Sequence, residues 1–234
     1  MNELLFAGKN LSAFNAYLAS SNFLDGSQRE VESVSVAGRS GDLLMDRKRF
    51  KNFTLKAQMY ITSDLQYSMG ALRAYMNSFS GYQKYEETID PQHYRLASFQ
   101  SVFEPSVYDH VGGAVELIFN AKPQRYLRIG DKPISVGDGQ TVTLLNPTRF
   151  GSSPLIDVTG TGTFIVGNVE FTLAANTGVV HVDFERQEAW EDGIISRNSD
   201  LTMSEIDFPT IPSGTSTISA SGCSLKVYPR WFTI

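Results

Sequence analysis

The stretch HVDFE, residues 181–185, contains the residue types of a metal site. His181, Asp183 and Glu185 alternate with two apolar residues, so on a β-strand their three side chains leave the same face. Imidazole and carboxylate groups are good ligands for a divalent cation. The alternative is that these residues form only the solvated face of an antiparallel strand. We favour the alternative and keep the three residues as weak candidates for a metal site.

A second stretch, DVTGTGTFIVGNVEF at residues 157–171, has the glycine spacing of a nucleotide-binding loop. A phosphate-binding loop needs a lysine directly after its last glycine, but Asn168 follows Gly167. A dinucleotide-binding loop opens a helix, whereas strand-forming residues surround Gly162 and Gly167. The pattern instead predicts a hairpin with Gly167 and Asn168 as its two-residue turn. We therefore expect no nucleotide, and we expect no other cofactor.

Residues for nucleophilic catalysis are scarce. The three histidines are His93, His110 and His181, and the single cysteine is Cys223. No Gly-x-Ser-x-Gly motif accompanies them. We therefore expect a protein that is not an enzyme.

The aromatic residues leave a different function open. Trp190, Trp231 and the tyrosines could stack on pyranose rings, although such residues are more often core or interface anchors. The alternative function is thus a carbohydrate-binding β-sandwich module, or an accessory domain of a carbohydrate-active enzyme.

Composition limits the class of protein further. The 234 residues are 41% hydrophobic and 19% charged, which is typical of a chain that buries a core. The net charge of −5 argues against a surface that neutralises nucleic-acid phosphates. One cysteine excludes an intramolecular disulfide. The sequence contains no recognisable secretion signal, and no apolar window approaches the roughly 20 residues of a membrane span. We expect a soluble protein made in a cytoplasm, with no membrane partner.

Two candidate strands flank a polar segment in the first half of the chain. Residues 30–38 and residues 52–61 predict strands, the second through strict alternation of apolar and polar residues. Residues 38–50 between them contain two glycines, mixed charge and a Leu-Leu-Met sequence. This segment is too polar for a strand throughout, so we predict a long loop, and long loops are often functional.

One helix is predicted after the second strand. Asp64 is expected to cap its first turn and Gly81 to end it in a left-handed conformation. An apolar stripe at helical spacing predicts that the helix packs on a sheet; it consists of Leu65, Met69, Leu72, Met76 and Phe79. Residues 94–103 and 112–121 predict two further strands.

The composition changes near residue 130, where prolines and glycines accumulate and we expect a domain boundary. Short strand-forming segments follow, separated by Gly, Pro, Asn and Ser, which is typical of a sandwich or barrel. These segments are QTVTLLN, LIDVTG, TFIV, VEFTLA, GVVHVDFE and SLKVYPRWF.

Several segments, in this order, carry a resemblance to a known family. They are REVESVSVAGRSGDLLMDRKRFKNFTL, LRAYMNSFSGYQKYEETIDPQHYRLASF, GGAVELIFNAKPQRYL, NPTRFGSSPLIDVTGTGTFIVGN, FPTIPSGTSTISASG and LKVYPRWFTI. Together they span nearly the whole chain and resemble the distal tail protein (Dit) family of siphophage-type bacteriophages.

The resemblance implies a mainly β fold with one α-helix in the N-terminal domain. Residues 1–130 would form a ring-forming, tail-tube-like domain made of a β-sandwich and the helix. Residues 131–234 would form a galectin-like β-sandwich outside the ring.

The resemblance also implies a structural role in the virion, at the tip of the tail. Proteins of this family form rings, usually hexamers, that join the tail tube to the tip or baseplate and act as a hub for host-adsorption proteins. The implied partners are further copies of the chain, the major tail tube protein, the tail-associated tip protein, the tape measure protein and receptor-binding or baseplate proteins. DNA would pass through the lumen without specific binding, and assembly would take place in the cytoplasm of the host bacterium.

Residues 38–50 occupy the position of a connecting segment that reaches a neighbouring ring in related tail-tube folds. We hypothesise that six residues of this segment contribute to ring stacking or subunit contacts, namely Arg39, Asp42, Leu43, Leu44, Arg47 and Arg49.

A galectin-like domain raises the question of sugar binding. Galectins hold galactose with a His-x-Asn-x-Arg strand and a nearby tryptophan. This chain has His181, Asp183 and Glu185 at the corresponding spacing, which lacks the asparagine and the arginine, and Trp190 follows. Host-glycan binding therefore remains an open alternative.

Overall fold

The computed structural model describes residues 2–100, 102–108, 112–174, 178–192 and 195–234. The chain forms two compact units, Met1–Arg125 with Ile234 and Tyr126–Thr233, which are described separately. The expected roles of residues 1–130 and 131–234 remain predictions. His110 lies outside the described residues.

The described residues of the first unit form ten strands, one α-helix and a short 3-10 helix, Leu11–Phe14. Its strands are β1 (Leu4–Phe6), β2 (Lys9–Asn10), β3 (Ala16–Ser21), β4 (Arg29–Val34), β5 (Leu43–Phe50), β6 (Phe53–Ile61), β7 (Gln83–Glu87), β8 (His93–Phe99), β9 (Pro105–Val107) and β10 (Gly113–Leu127). The main sheet has the order β2-β1-β7-β8-β10-β6-β3, and β9 also pairs with β10. Strands β4 and β5 form a separate two-stranded sheet.

Strand β6 confirms the strand predicted over residues 52–61. Its alternate residues Leu55, Ala57 and Met59 are fully buried, and its register with β10 places Leu55 opposite Phe119 and Met59 opposite Val115. Because alternate side chains point to one face, the apolar positions of both strands enter a single core. The strands predicted at residues 94–103 and 112–121 correspond to β8 and β10, and β10 continues to Leu127.

The predicted helix is α1 (Leu65–Asn77), and its apolar stripe packs into the core of the first unit as expected. Both predicted end signals are wrong. Asp64 is in a left-handed conformation with φ 43° and makes no side-chain cap bond. The helix ends at Asn77, where the Ser78 N–H and hydroxyl both donate to Tyr75 O. Gly81 does have a positive φ, but it lies in the turn beyond the helix.

The prediction of a loop over residues 38–50 is wrong for most of that segment. Leu43–Phe50 forms strand β5, which pairs with β4 in antiparallel register. Sequence polarity argued against a strand, but Asp46, Arg47 and Arg49 of β5 each pair with an opposite charge on β4. We call residues 29–50, that is β4, the turn and β5, the arm.

The second unit is a sandwich of two antiparallel sheets. Its strands are β11 (Ile134–Val136), β12 (Thr141–Asn146), β13 (Leu155–Thr159), β14 (Gly162–Val166), β15 (Val169–Leu173), β16 (Val179–Asp183), β17 (Glu188–Glu191), β18 (Ile195–Ser196), β19 (Leu201–Met203), β20 (Gly214–Ser221), β21 (Ser224–Tyr228) and β22 (Phe232–Thr233). One sheet has the order β11-β21-β13-β16-β17-β18 and the other β12-β20-β14-β15-β19. Buried residues of both sheets form one core, which confirms the predicted sandwich.

The glycine-rich stretch is a turn between the sheets followed by a hairpin. Strand β13 lies in one sheet and β14 in the other, and the chain crosses between them at residues 160–162. A Cβ on Gly162 would lie 2.2 Å from Ser221 O, so only glycine fits there. Val166 pairs with Val169 across the turn, and Gly167 has φ 63°, which confirms the predicted two-residue hairpin.

Within the described residues, no helix is both long enough and apolar enough to cross a membrane.

Candidate assembly and ligand surfaces

The arm exposes nearly all of its residues. Leu44 is 68% exposed, and Leu43, Met45 and Val31 are each more than 40% exposed. The register places Val34, Leu43 and Met45 on one face and Val31 and Leu44 on the other. Neither face is therefore covered by the residues that the structure describes, although an isolated hairpin is only marginally stable in water.

Ion pairs connect the two strands of the arm. Arg47 Nη2 lies 2.8 Å from Glu32 Oε2. Arg29 pairs with Asp46, and its hydrogen bond lowers the pKa of that carboxyl.

A third pair of the arm joins Arg49 to Glu30, and the hydrogen bond from Arg49 lowers the pKa of Glu30. Because these groups are exposed, each pair contributes little to stability. Opposite charges that face each other across two strands favour their pairing.

The six predicted assembly residues all lie on the arm. Arg39 and Asp42 are in the turn, where Ser33 Oγ donates to Asp42 Oδ2. The other four are on β5, and Arg47 and Arg49 are held by glutamates of β4. Sequence reasoning missed those acidic partners, although the opposite charge patterns of REVES and DRKR could have indicated the pairing.

Arg95 anchors the chain that leads into the arm. Its side chain is buried and donates to the carbonyl oxygens of Phe23 at 2.9 Å and Asp25 at 2.7 Å. A third bond reaches Pro123 O at 3.2 Å, and the guanidinium lies 4.7 Å from the centre of the Phe53 ring. Burial, together with the nearby Arg125, lowers the pKa of Arg95 to about 10. Nothing in the local sequence identified this residue.

The three candidate metal ligands on and after strand β16 have different surroundings. His181 Nδ1 lies 2.6 Å from Asp157 Oδ1, so the imidazole is oriented by a carboxylate of β13. Asp183 is buried, and both of its oxygens accept from Arg230 at 3.0 Å. Glu185 is exposed and lies beyond the end of the strand.

These partners correct the expectation of a solvated face, since Asp183 is enclosed by its ion pair. In the part of the chain that the structure describes, no group of three His, Cys, Asp or Glu side chains is placed to hold a metal.

A line of side chains crosses the solvent face of the six-stranded sheet. We call it the outer row; successive pairs in the strand register define it as Lys226, Asp157, His181, Trp190 and Ser196. The adjacent row of Val227, Ile156, Val182 and Ala189 is buried, so the outer row faces away from the core.

Trp190 lies between His181 and Ser196 in the outer row. Its ring centre is 5.5 Å from that of His181, with an angle of 32° between the planes. It also lines a pocket of about 450 Å³ with Arg186, Glu188, Ala189, Ser196 and Asn198. Trp231, by contrast, is buried in the core, as the core-anchor alternative expects.

Comparison with solved structures identifies the fold. The chain is similar to the SPP1 Dit (gp 19.1) protein, described as a paradigm of the hub adsorption apparatus in phages that infect Gram-positive bacteria, with a TM-score of 0.71 at 12% identity over 97% of both chains. It is also similar to a chain of the phage P2 baseplate in its activated conformation with Ca, with a TM-score of 0.57 at 10% identity over 97% of both chains. The chain has the Dit fold. No protein-family profile and no curated protein sequence matches it.

The Dit fold accounts for the mainly β architecture with one helix, which is the fold class predicted from the sequence. The likeness covers 97% of the chain and therefore extends over both compact units.

Proposed function

We propose that this protein is a structural component of a phage tail tip or baseplate, and not an enzyme. The observation that carries the proposal is a Dit fold that extends over 97% of the chain. The two similar proteins belong to a hub adsorption apparatus and to a baseplate, and a fold kept over both units favours a comparable place in a virion.

In this proposal the chain forms a ring, a hexamer, that joins the tail tube to the tip. The first unit would form the ring and the second would lie at its periphery. The arm supports self-association, because its apolar side chains are exposed on both faces and a two-stranded hairpin gains stability when it packs on further structure. We assign the arm to a second copy of this chain, with Arg39, Asp42, Leu43, Leu44, Arg47 and Arg49 as contact residues.

The partners follow from this position. The ring would contact the tail tube protein on one side and the tail-associated tip protein on the other, with the tape measure protein in the lumen and receptor-binding proteins outside. A net charge of −5 suits a lumen through which DNA passes without binding. Assembly would take place in the bacterial cytoplasm before the tail is complete.

Measurement of the assembly state tests this proposal. The wild-type chain is expected to form a ring of six copies by native mass spectrometry and electron microscopy. Leu44→Asp places a charge on the arm at a residue that is 68% exposed, so it should abolish the ring while the chain stays folded. Leu145→Asp is the matched control, because Leu145 is 69% exposed in the second unit. A wild-type monomer at all concentrations, or a Leu44→Asp ring, contradicts the proposal.

A further inference from the structure

The two sheets of the second unit present different solvent faces. On the five-stranded sheet, one row consists of Thr141, Ser219, Ile165 and Glu170, which are aliphatic, hydroxyl or carboxylate side chains without a ring. The outer row of the six-stranded sheet instead combines an indole, an imidazole and a carboxylate. The core beneath is already filled by aliphatic and aromatic side chains, so packing does not require these groups on the surface.

His181 is held in a defined orientation within the outer row. Because a carboxylate can only accept, the imidazole carries its proton on Nδ1 and donates to Asp157 Oδ1 at 2.6 Å. Asp157 also interacts with Tyr228, whose pKa is raised by burial and by this carboxylate. The other ring nitrogen, Nε2, is 3.8 Å from Asp192 Oδ1, which is beyond hydrogen-bond distance. In the neutral imidazole, Nε2 is thus an oriented acceptor at the surface.

Trp190 adds an apolar platform next to this acceptor. It is only half-buried, and the pocket of about 450 Å³ beside it has charged, amide and hydroxyl side chains, those of Arg186, Glu188, Asn198 and Ser196. A pyranose ring has a matching character, since one face consists of C–H groups and its rim of hydroxyl groups. An aromatic face with a few polar groups at its edge is suited to such a ring.

We propose that the outer row and the adjoining pocket form a saccharide-binding site. A pyranose ring stacks on Trp190, one of its hydroxyls donates to His181 Nε2, and the polar residues of the pocket bond other hydroxyls. Asp157 acts as a positioning residue for His181. The site lies within the second unit and does not depend on ring assembly. A test of sugar binding is therefore independent of a test of the proposed structural role.

Tryptophan fluorescence of the full-length chain reports on this site directly. The chain has two tryptophans, and Trp231 is only 4% exposed, so acrylamide quenching acts on Trp190. Titration with maltose, lactose, cellobiose and N,N′-diacetylchitobiose is expected to give saturable protection from the quencher for at least one sugar. Stacking on one open platform is not selective for a single hexose, so the absence of protection by all four sugars overturns the proposal.

Variants of the chain distinguish binding at this site from a nonspecific effect of sugar on the protein. Sugar binding to each variant is measured by saturation-transfer NMR. Trp190→Ala is expected to weaken binding about tenfold, the loss that corresponds to one aromatic contact. His181→Ala should weaken it less, and Asp157→Asn should have the effect of His181→Ala without adding to it in the double variant. Tyr67→Ala, which removes a 79% exposed aromatic from the first unit, is the matched control and should bind as wild type. Equal binding by wild type and Trp190→Ala contradicts the site.

Discussion

The arm and strand β16 both contain charged residues that form ion pairs, but these residues differ in their exposure to solvent. In the arm, Arg47 and Glu32 pair across the strands while both side chains remain more than half exposed. In β16, the Asp183 side chain is only 5% exposed and binds Arg230 through both oxygens. The first pair is solvated and the second is enclosed.

This difference in exposure determines how each ion pair affects stability and association. An exposed ion pair is screened by water, so it adds little stability and leaves a surface that can form other contacts. A buried pair adds little when intact, but loss of one partner leaves an uncompensated charge inside the protein. Charges of the arm should therefore affect association, and charges near β16 should affect folding.

Arg230→Ala is expected to have the largest effect on folding. It leaves the buried Asp183 carboxylate without its guanidinium partner, which should lower the free energy of unfolding by about 3–5 kcal/mol. Urea denaturation measures the loss, with Arg186→Ala as an exposed control from the same unit. A loss below about 1 kcal/mol would show that the enclosed pair behaves like an exposed one.

Arg95→Met is expected to have the second-largest effect on folding. The change keeps a long apolar side chain but leaves the carbonyl oxygens of Phe23, Asp25 and Pro123 without this donor, at a cost of about 2 kcal/mol. Hydrogen exchange should also become faster in the arm than in β6, because Arg95 holds the chain that leads into the arm. Arg73→Met, an exposed arginine of α1, is the control. Unchanged exchange in the arm would exclude the anchoring role.

Glu87→Gln should have a smaller effect, in the stabilising direction. Glu87 is buried and accepts from Tyr85 at 2.6 Å and from Ser21 at 2.9 Å. Burial raises the pKa of Glu87 above its ordinary value of 4.5. The protonated form therefore favours folding below pH 4.5, and this contribution is lost as the pH rises through the raised pKa.

Glutamine stays neutral and can keep both hydrogen bonds, so the Tm of Glu87→Gln should exceed that of wild type increasingly above pH 4.5. Melting curves across this pH range measure the difference, and the exposed Glu170→Gln should show none. A wild-type chain that is more stable at neutral pH would mean that the carboxylate form is favoured inside the protein.

The Arg47→Glu, Arg49→Glu double variant should change stability least. Both side chains are more than half exposed, so the unfolding midpoint in urea should stay that of wild type. The population of rings in native mass spectrometry should fall, since these residues are proposed subunit contacts. Lys132→Glu with Arg186→Glu makes the same change in net charge in the second unit and should leave rings intact. A full population of rings in the arm variant would show that these arginines are not part of the interface.

Several elements could be predicted from the sequence because their signals are local. The alternation in β6 and the stripe of α1 show directly which side chains meet the core. The turn at Gly167 follows from two residues between strand-forming segments. The order of family-like segments indicated the Dit fold, which the solved structures then showed.

Other features depended on partners that are distant in sequence. Strand β5 was predicted as part of a loop because its segment looked too polar for a strand, and the partners of Asp46, Arg47 and Arg49 lie on β4. Asp64 has the residue type of a helix cap, yet its backbone is left-handed and its side chain makes no cap bond. The anchoring of the arm by Arg95 could not be inferred from its neighbours, because its bonds reach residues 28 to 72 positions away.

The sequence by itself therefore determined the strand periodicity, the helix and the glycine turn, since each depends on steric and burial patterns within a few residues. Only the tertiary structure decided the state of the charged groups. Asp183 is enclosed because Arg230, 47 residues later in the chain, packs over it, while His181 stays at the surface beside Asp157 and Trp190. The cost of burying a charge depends on which groups the fold brings to it, and that information is spread over the whole chain.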